Sequence, residues 1–114
     1  MSKRDWKLYV EDILESLDLV KQYVGSMNFD DFREDRKTID AVVRNLEIIG
    51  EASKFIPDRI KNKYCDVDWP GMVGLRNRIA HKYFDISLNV VWYIIKSELL
   101  PLSEQMRQIL EKEK

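Results

Sequence analysis

Apolar residues recur every three or four positions along most of the chain, which is the spacing of amphipathic helices. Over Trp6–Val24 they fill a single arc, so this segment is predicted to be a helix with one core-facing side. A short element is expected around Asp30–Glu34. The last long helix should be capped by Ser87. Because proline lacks a backbone donor, Pro101 should kink this helix near Ser97.

The predicted helix over about Asp35–Phe55 is apolar on two sides. One side contains Gly50, where a neighbouring helix could approach closely. The opposite side carries a second apolar stripe, formed by Ala41, Ile48, Ala52 and Phe55. A helix that is apolar on two sides must be covered on both of them. Two interpretations therefore remain open: another copy of the chain packs on the second stripe, or Ile48 and Phe55 lie beneath the following loop.

The segment that follows is predicted to form a helix from about Trp69, with Asp68 as its N-cap and Pro70 in its first turn. No alternation typical of β-strands stands out along the chain. Four main helices with short connections predict an all-α fold, namely a four- to five-helix up-and-down bundle. We expect a single domain over residues 1–114 that dimerises through helix faces.

Composition is that of a soluble globular protein, with 45% apolar and 34% charged residues. No signal-peptide core or membrane-spanning run is present, so we expect a cytoplasmic protein without a membrane partner. The single cysteine, Cys65, matches no metal-binding spacing, so no metal site is expected, and the chemistry considered below requires no cofactor. Net charge is −1, but residues 54–82 carry 7 basic and 3 acidic side chains. Binding of a polyanion should therefore be local to that segment.

The stretch "LRNRIAHKYF" holds the only histidine, His81, five residues after Arg76. Histidine can act as an acid or a base near neutral pH, and arginine presents a fork suited to phosphate oxygens. Cleavage of RNA by its own 2′-hydroxyl needs such groups and no metal. Arg76 falls on the inward arc of the predicted helix, where a guanidinium needs a partner. Glu47 and Glu51 on the preceding helix are the obvious partners.

A two-histidine mechanism would require a second imidazole, which a two-fold dimer would supply by bringing His81 and its copy to one cleft. Simpler interpretations stand beside this one. Arg76 could be a structural ion pair, and a lone histidine in a helix is more often a surface residue than a catalyst. Asn77 could simply fix the orientation of the His81 ring. Arg78 and Lys82 could belong to a solvated basic face.

The same stretch resembles the Arg-x4-His-x-Tyr signature of the HepT-like toxins in the HEPN superfamily (higher eukaryotes and prokaryotes nucleotide-binding domain). Three further stretches are similar to this family: "KTIDAVVRNLEIIGEASKFIP" resembles its second long helix, "DWPGMVGLRN" its approach to the signature, and "VVWYIIKSELLPL" its last helix. The resemblance therefore covers nearly the whole chain.

This resemblance implies an RNase whose active site forms at the cleft of a homodimer. It assigns Arg76 and His81 as the catalytic residues, assisted by Asn77. Toxins of this family are commonly paired with a small nucleotidyltransferase antitoxin, which adds AMP to the signature tyrosine, here Tyr83. The added phosphate would repel RNA and occupy the arginines.

Four other charged residues are assigned supporting roles. Arg78 and Lys82 are candidates for binding RNA or supporting the site, and Glu47 and Glu51 are expected to orient Arg76. The leading hypothesis is a metal-independent endoribonuclease that acts as the toxin of a type VII-like toxin–antitoxin pair. One alternative is a non-catalytic HEPN module that binds a nucleotide or a nucleotidyltransferase. Another is a plain structural dimer.

Overall fold

A computed structural model describes residues 4–79 and 87–114, and the regular secondary structure in these ranges is helical. The helices are α1 (Trp6–Val24), α2 (Phe29–Arg33), α3 (Arg36–Ser53), α4 (Asp58–Lys63), α5 (Trp69–Val73), α6 (Leu75–Ile79), α7 (Leu88–Tyr93) and α8 (Leu99–Lys112), with a π-helical segment (Ile94–Glu98) between the last two. The predicted all-α fold class is confirmed. No helix within the described ranges is long and apolar enough to cross a membrane.

Local signals in the sequence set the ends of the long N-terminal helices. The side chain of Asp5 accepts a hydrogen bond from the Lys7 backbone N–H at 3.0 Å and so caps the start of α1. At the other end Gly25 takes a positive φ of 52°, a conformation that glycine adopts without strain. The bounds predicted for α1 are therefore confirmed. Asp35 caps α3 in the same way as Asp5 caps α1.

The core forms where α1 packs against both α3 and α8. Each of these helices contributes a buried apolar face, as expected from the spacing of its apolar residues. The most completely buried side chains on these three helices are Val10, Ile13 and Val20 from α1, Val42, Leu46 and Ile49 from α3, and Met106 and Ile109 from α8. This arrangement leaves one long side of α3 for the two short helices α5 and α6, which carry the signature arginine.

Pro101 disturbs the last long helix where the sequence predicts it. Proline has no N–H to donate to the carbonyl of Ser97, so the regular pattern of hydrogen bonds fails one turn earlier. At this position the helix contains a π-helical segment, Ile94–Glu98, which includes Ser97. The interruption of the regular α-helix near Ser97 is confirmed and takes the form of a π-helical turn, while the predicted kink of the helix axis stays a prediction.

The close approach predicted at Gly50 is also confirmed. Gly50 is buried in α3, and a Cβ atom at this position would lie 3.1 Å from the carbonyl oxygen of Met72 and 3.5 Å from that of Val73. The backbone of α5 therefore rests directly on α3, with no side chain between them.

The second apolar stripe of α3 is only partly covered. Ala52 is buried and Ile48 is half-buried, but Phe55 remains 53% exposed. The described part of the following segment does not bury Phe55, so the interpretation that a loop covers this residue is wrong. One side of its ring instead stacks on Tyr9 of α1. Packing of a second copy against the stripe stays a prediction.

Replacement of Gly50 by valine should destabilise the protein more than replacement by alanine. The larger side chain must push the Met72 carbonyl away, and overpacking of this kind costs about 2 kcal/mol. The same comparison at the exposed Lys37 of α3 should show only the difference in helix propensity, about 0.5 kcal/mol. Urea unfolding measures both differences. Equal alanine-to-valine differences at the two positions would contradict the close approach.

Candidate active site

The segment before the signature begins as the sequence predicts. The side chain of Asp68 accepts a hydrogen bond from the Gly71 backbone N–H at 3.1 Å, and Pro70 occupies the first turn of α5. The prediction of one continuous helix through the signature is wrong, however, because the helix is interrupted at Gly74. The signature arginines stand on the separate short helix α6.

Arg76 lies on the solvent side of α6. The helical projection places it on the inward arc together with Met72, Leu75 and Ile79, but its side chain is 81% exposed. Met72, Leu75 and Ile79 are buried at the spacing predicted for that arc, so the prediction is wrong for Arg76 alone, which lies beyond the edge of the buried face. Arg76 is therefore not a buried cation that requires a partner.

Glu47 is the described carboxylate that lies beside Arg76. Its Oε2 atom is 3.8 Å from Arg76 Nε, which is a long ion pair rather than a hydrogen bond. Glu51, the other expected partner, lies 3.2 Å from Lys54. A pair of this length at an exposed guanidinium is weak, so Arg76 keeps its capacity to bind another anion.

Arg78 has a different role from Arg76, although only one residue separates them. Its guanidinium donates two hydrogen bonds to Glu98, at 2.8 and 2.6 Å, in the bidentate arrangement that makes arginine–carboxylate pairs strong. These bonds lower the pKa of Glu98 below its ordinary value. Glu98 closes the π-helical segment, so Arg78 ties α6 to the C-terminal helices. Asn77, between the two arginines, is exposed.

His81, Lys82 and Tyr83 lie outside the described residues, so their predicted roles stay predictions. The described residues on either side of them are joined directly. The backbone N–H of Ser87 donates a hydrogen bond to the carbonyl oxygen of Ile79 at 2.9 Å. Ser87, directly before α7, is therefore held against the end of α6.

Arg76 and Glu47 line a groove of about 580 Å³ between α1, α3 and the α5–α6 pair, which we call the α1–α3 groove. Its other residues are Arg4, Tyr9, Asp12, Arg44, Ile48, Gly50, Glu51, Ala52, Lys54, Phe55 and Val73. Arg4 forms an ion pair with Asp12 at 2.7 Å. Arg44 makes no ion pair with any described residue. Among the described residues, no three His, Cys, Asp or Glu side chains cluster as metal ligands.

Sequence patterns did not identify the contribution of α1 to this groove. Arg4 and Tyr9 lie far from the signature in sequence, and only the packing of α1 on α3 brings them to it. Phe55 was assigned to an apolar stripe and not to a binding site. Arg44 lies one turn before Glu47 on the same side of α3, which was the available signal for it.

Comparison with known proteins agrees with this arrangement. The family described as "Ribonuclease HepT-like" matches residues 13–109. A Thermococcus cleftensis protein named "Probable ribonuclease HepT" is 37% identical over 107 residues, which cover 94% of this chain and 97% of the relative. A Methanocaldococcus jannaschii protein named "Putative RNase MJ1380" is 40% identical over 106 residues, covering 93% and 97%. No solved structure gives a significant match.

The family match over most of the chain places this small all-α protein in the HEPN class. More narrowly, the chain belongs to the ribonuclease HepT-like family. The family resemblance found in the sequence is therefore confirmed, as is the prediction of an enzyme of the ribonuclease class.

The Arg78–Glu98 pair should make stability depend on pH in a defined direction. Because the folded-state pKa of Glu98 is lowered from 4.5, its stabilising effect is present above that pH and is lost as the pH falls through the lowered value. At pH 7, Glu98→Gln should cost about 1 kcal/mol, a figure reduced for partial exposure of the pair. Urea unfolding between pH 7 and pH 3 measures this effect.

The matched control is Glu15→Gln, which changes an exposed carboxylate of α1. It should alter stability little at any pH. If the cost of Glu98→Gln stayed constant down to the lowest pH, the ion pair would not be its cause.

Proposed function

We propose that this protein is a metal-independent endoribonuclease that acts as the toxin of a type VII-like toxin–antitoxin pair. The observation that carries the proposal is the exposure of Arg76 on a groove, in a signature shared with a ribonuclease family. A structural ion pair would call for a buried or tightly bound arginine. Arg78 meets that description, and Arg76 does not.

The proposed reaction cleaves RNA through its own 2′-hydroxyl. The 2′-oxygen attacks the adjacent phosphorus, and the bond from phosphorus to the 5′-oxygen breaks, so that a cyclic phosphate forms. One imidazole takes the proton of the 2′-hydroxyl, and an imidazolium gives a proton to the departing 5′-oxygen. The Arg76 guanidinium stabilises the charge on the phosphoryl oxygens. Asn77 assists by holding the imidazole or the phosphate.

Two imidazoles are proposed to come from two copies of the chain. Each copy has one histidine, His81, so a two-fold dimer is needed to place an acid and a base on opposite sides of one phosphate. Arg78 supports the site through Glu98, while Lys82 would contact RNA.

Glu47 is proposed to orient Arg76 rather than to neutralise it. At 3.8 Å its carboxylate biases the position of the guanidinium but leaves hydrogen-bond donors available for a phosphate. Glu51 would orient Arg76 less directly than Glu47, because its carboxylate is paired with Lys54, which lines the same groove.

Neutralisation is proposed to occur by transfer of AMP to Tyr83 from a nucleotidyltransferase antitoxin. The hydroxyl of Tyr83 would attack the α-phosphorus of ATP, and pyrophosphate would leave. The resulting phosphodiester places negative charge two residues from His81. It would repel the RNA backbone and compete for the arginines.

RNA cleavage in the presence of a chelator tests the catalytic assignment. We expect His81→Ala to reduce kcat about 100-fold or more, because general acid–base catalysis is lost. Arg76→Ala should reduce it about 100- to 1,000-fold, because charge stabilisation is lost. The control is Arg33→Ala, an exposed arginine of α2 outside the α1–α3 groove. Full activity in either signature variant would refute the assignment.

Mass spectrometry after co-expression with a nucleotidyltransferase encoded beside the gene tests the second part. The protein should gain the mass of one or more AMP groups, located by fragmentation at Tyr83, and it should lose RNase activity at the same time. Tyr83→Phe should remain unmodified and active. Modification only at other tyrosines, such as the exposed Tyr23, would count against the proposal.

A further inference from the structure

We infer that Phe55 is a stacking platform for a base of single-stranded RNA, placed on the α1–α3 groove that Arg76 also lines. The inference rests on the proposed function, since it assigns a substrate contact to the same site. It adds a binding residue that the signature does not contain. It also specifies the substrate as RNA with at least one unpaired base.

The first argument is the geometry of the aromatic residues. The rings of Phe55 and Tyr9 stack with their centroids 4.8 Å apart and their planes only 16° from parallel. The Arg4 guanidinium lies over the Tyr9 ring, 4.5 Å from its centroid, and Arg4 is held by its ion pair with Asp12. Tyr9, which Arg4 contacts in turn, therefore packs against one face of the Phe55 ring. A preorganised ring loses little freedom when a ligand binds to it.

The second argument is that Phe55 remains exposed. The residue is 53% exposed although its side chain is apolar and stacks on Tyr9. Exposure of a fixed phenyl ring leaves apolar surface in water, which burial under a ligand would relieve. A nucleic-acid base has a π-face of matching size, and stacking on an aromatic side chain contributes about 1–3 kcal/mol per base.

The third argument is the charge of the groove. Lys54 precedes Phe55 directly, and Arg44 and Arg76 line the same groove, where four cations outnumber three carboxylates. Arg44 is exposed and unpaired with described residues. The combination of an aromatic platform with nearby cations is typical of sites for single strands.

The residue composition of the α1–α3 groove argues against a second copy of the chain as the molecule that binds there. Seven of the thirteen residues that line the α1–α3 groove are charged. The buried centre of a protein–protein interface is depleted of charged residues. A strand of RNA keeps its phosphates near water and tolerates such surroundings. A base in a duplex has both faces covered by its neighbours, so the platform selects unpaired RNA.

The experiment measures binding separately from cleavage. The probe is a short single-stranded RNA with a 2′-O-methyl group on every ribose, which removes the attacking hydroxyl, and with 2-aminopurine as a fluorescent base. Fluorescence anisotropy of the labelled strand gives Kd, and quenching of 2-aminopurine reports stacking. The variants of the full chain are Phe55→Leu, which keeps apolar bulk, and Phe55→Tyr, which keeps the ring. The matched control is Tyr23→Leu, an exposed aromatic at the far end of α1.

We expect Phe55→Leu to raise Kd about 5- to 100-fold and to abolish the quenching, which corresponds to the loss of one stacked base. Phe55→Tyr and Tyr23→Leu should behave like the unchanged protein. In cleavage of ordinary single-stranded RNA, Phe55→Leu should raise KM with little change in kcat, because the lost contact is made equally in ground and transition states.

Two results would overturn the inference. One is equal Kd and equal quenching for Phe55→Leu and the unchanged protein. The other is a shift of Phe55→Leu from dimer to monomer in sedimentation, which would make the groove an interface between copies. A protein that binds the probe through Phe55 but cleaves no RNA would support the inference and refute the proposed function. A protein that cleaves RNA with a KM that Phe55→Leu does not change would refute the inference and support the proposed function.

Discussion

The close approach of α5 to α3 at Gly50 is the constraint on which the site depends. A Cβ atom at this position would lie only 3.1 Å from the Met72 carbonyl oxygen, so any residue other than glycine requires the two backbones to move apart. Because only Gly74 separates α5 from α6, the contact at Gly50 also sets the distance between α3 and the helix that carries Arg76. Glu47 lies one turn before Gly50 on α3, so it comes to stand beside the guanidinium.

A second contact, the ion pair between Arg78 and Glu98, joins the signature helix α6 to the C-terminal helices. Arg78 is bound through two hydrogen bonds to Glu98, at the end of the π-helical turn that Pro101 induces. The two arginines of α6 therefore have different roles. Arg78 joins α6 to the C-terminal helices, whereas Arg76 stays exposed beside Glu47. An accessible cation in a preorganised site is what electrostatic stabilisation of a phosphoryl transition state requires.

Features that depend on local sequence could be predicted, whereas those that depend on packing could not. The bounds of α1, the cap at Asp68 and the disturbance caused by Pro101 follow from residues close to one another along the chain. The exposure of Arg76 was predicted wrongly, because a helical projection gives the direction of a side chain but not how much of that face the neighbouring helices cover. The stack of Phe55 on Tyr9 joins two helices, and no pattern within either helix indicates it.

The central claim is that two copies of the chain form one catalytic cleft, and subunit mixing tests it most directly. Unchanged protein is combined in varying proportions with an inactive Arg76→Ala/His81→Ala double variant, under conditions that let subunits exchange. If both copies contribute to each site, RNase activity should fall with the square of the unchanged fraction, to about one quarter at equal amounts. A linear decrease, to about one half, would mean that each copy acts alone and would contradict the account.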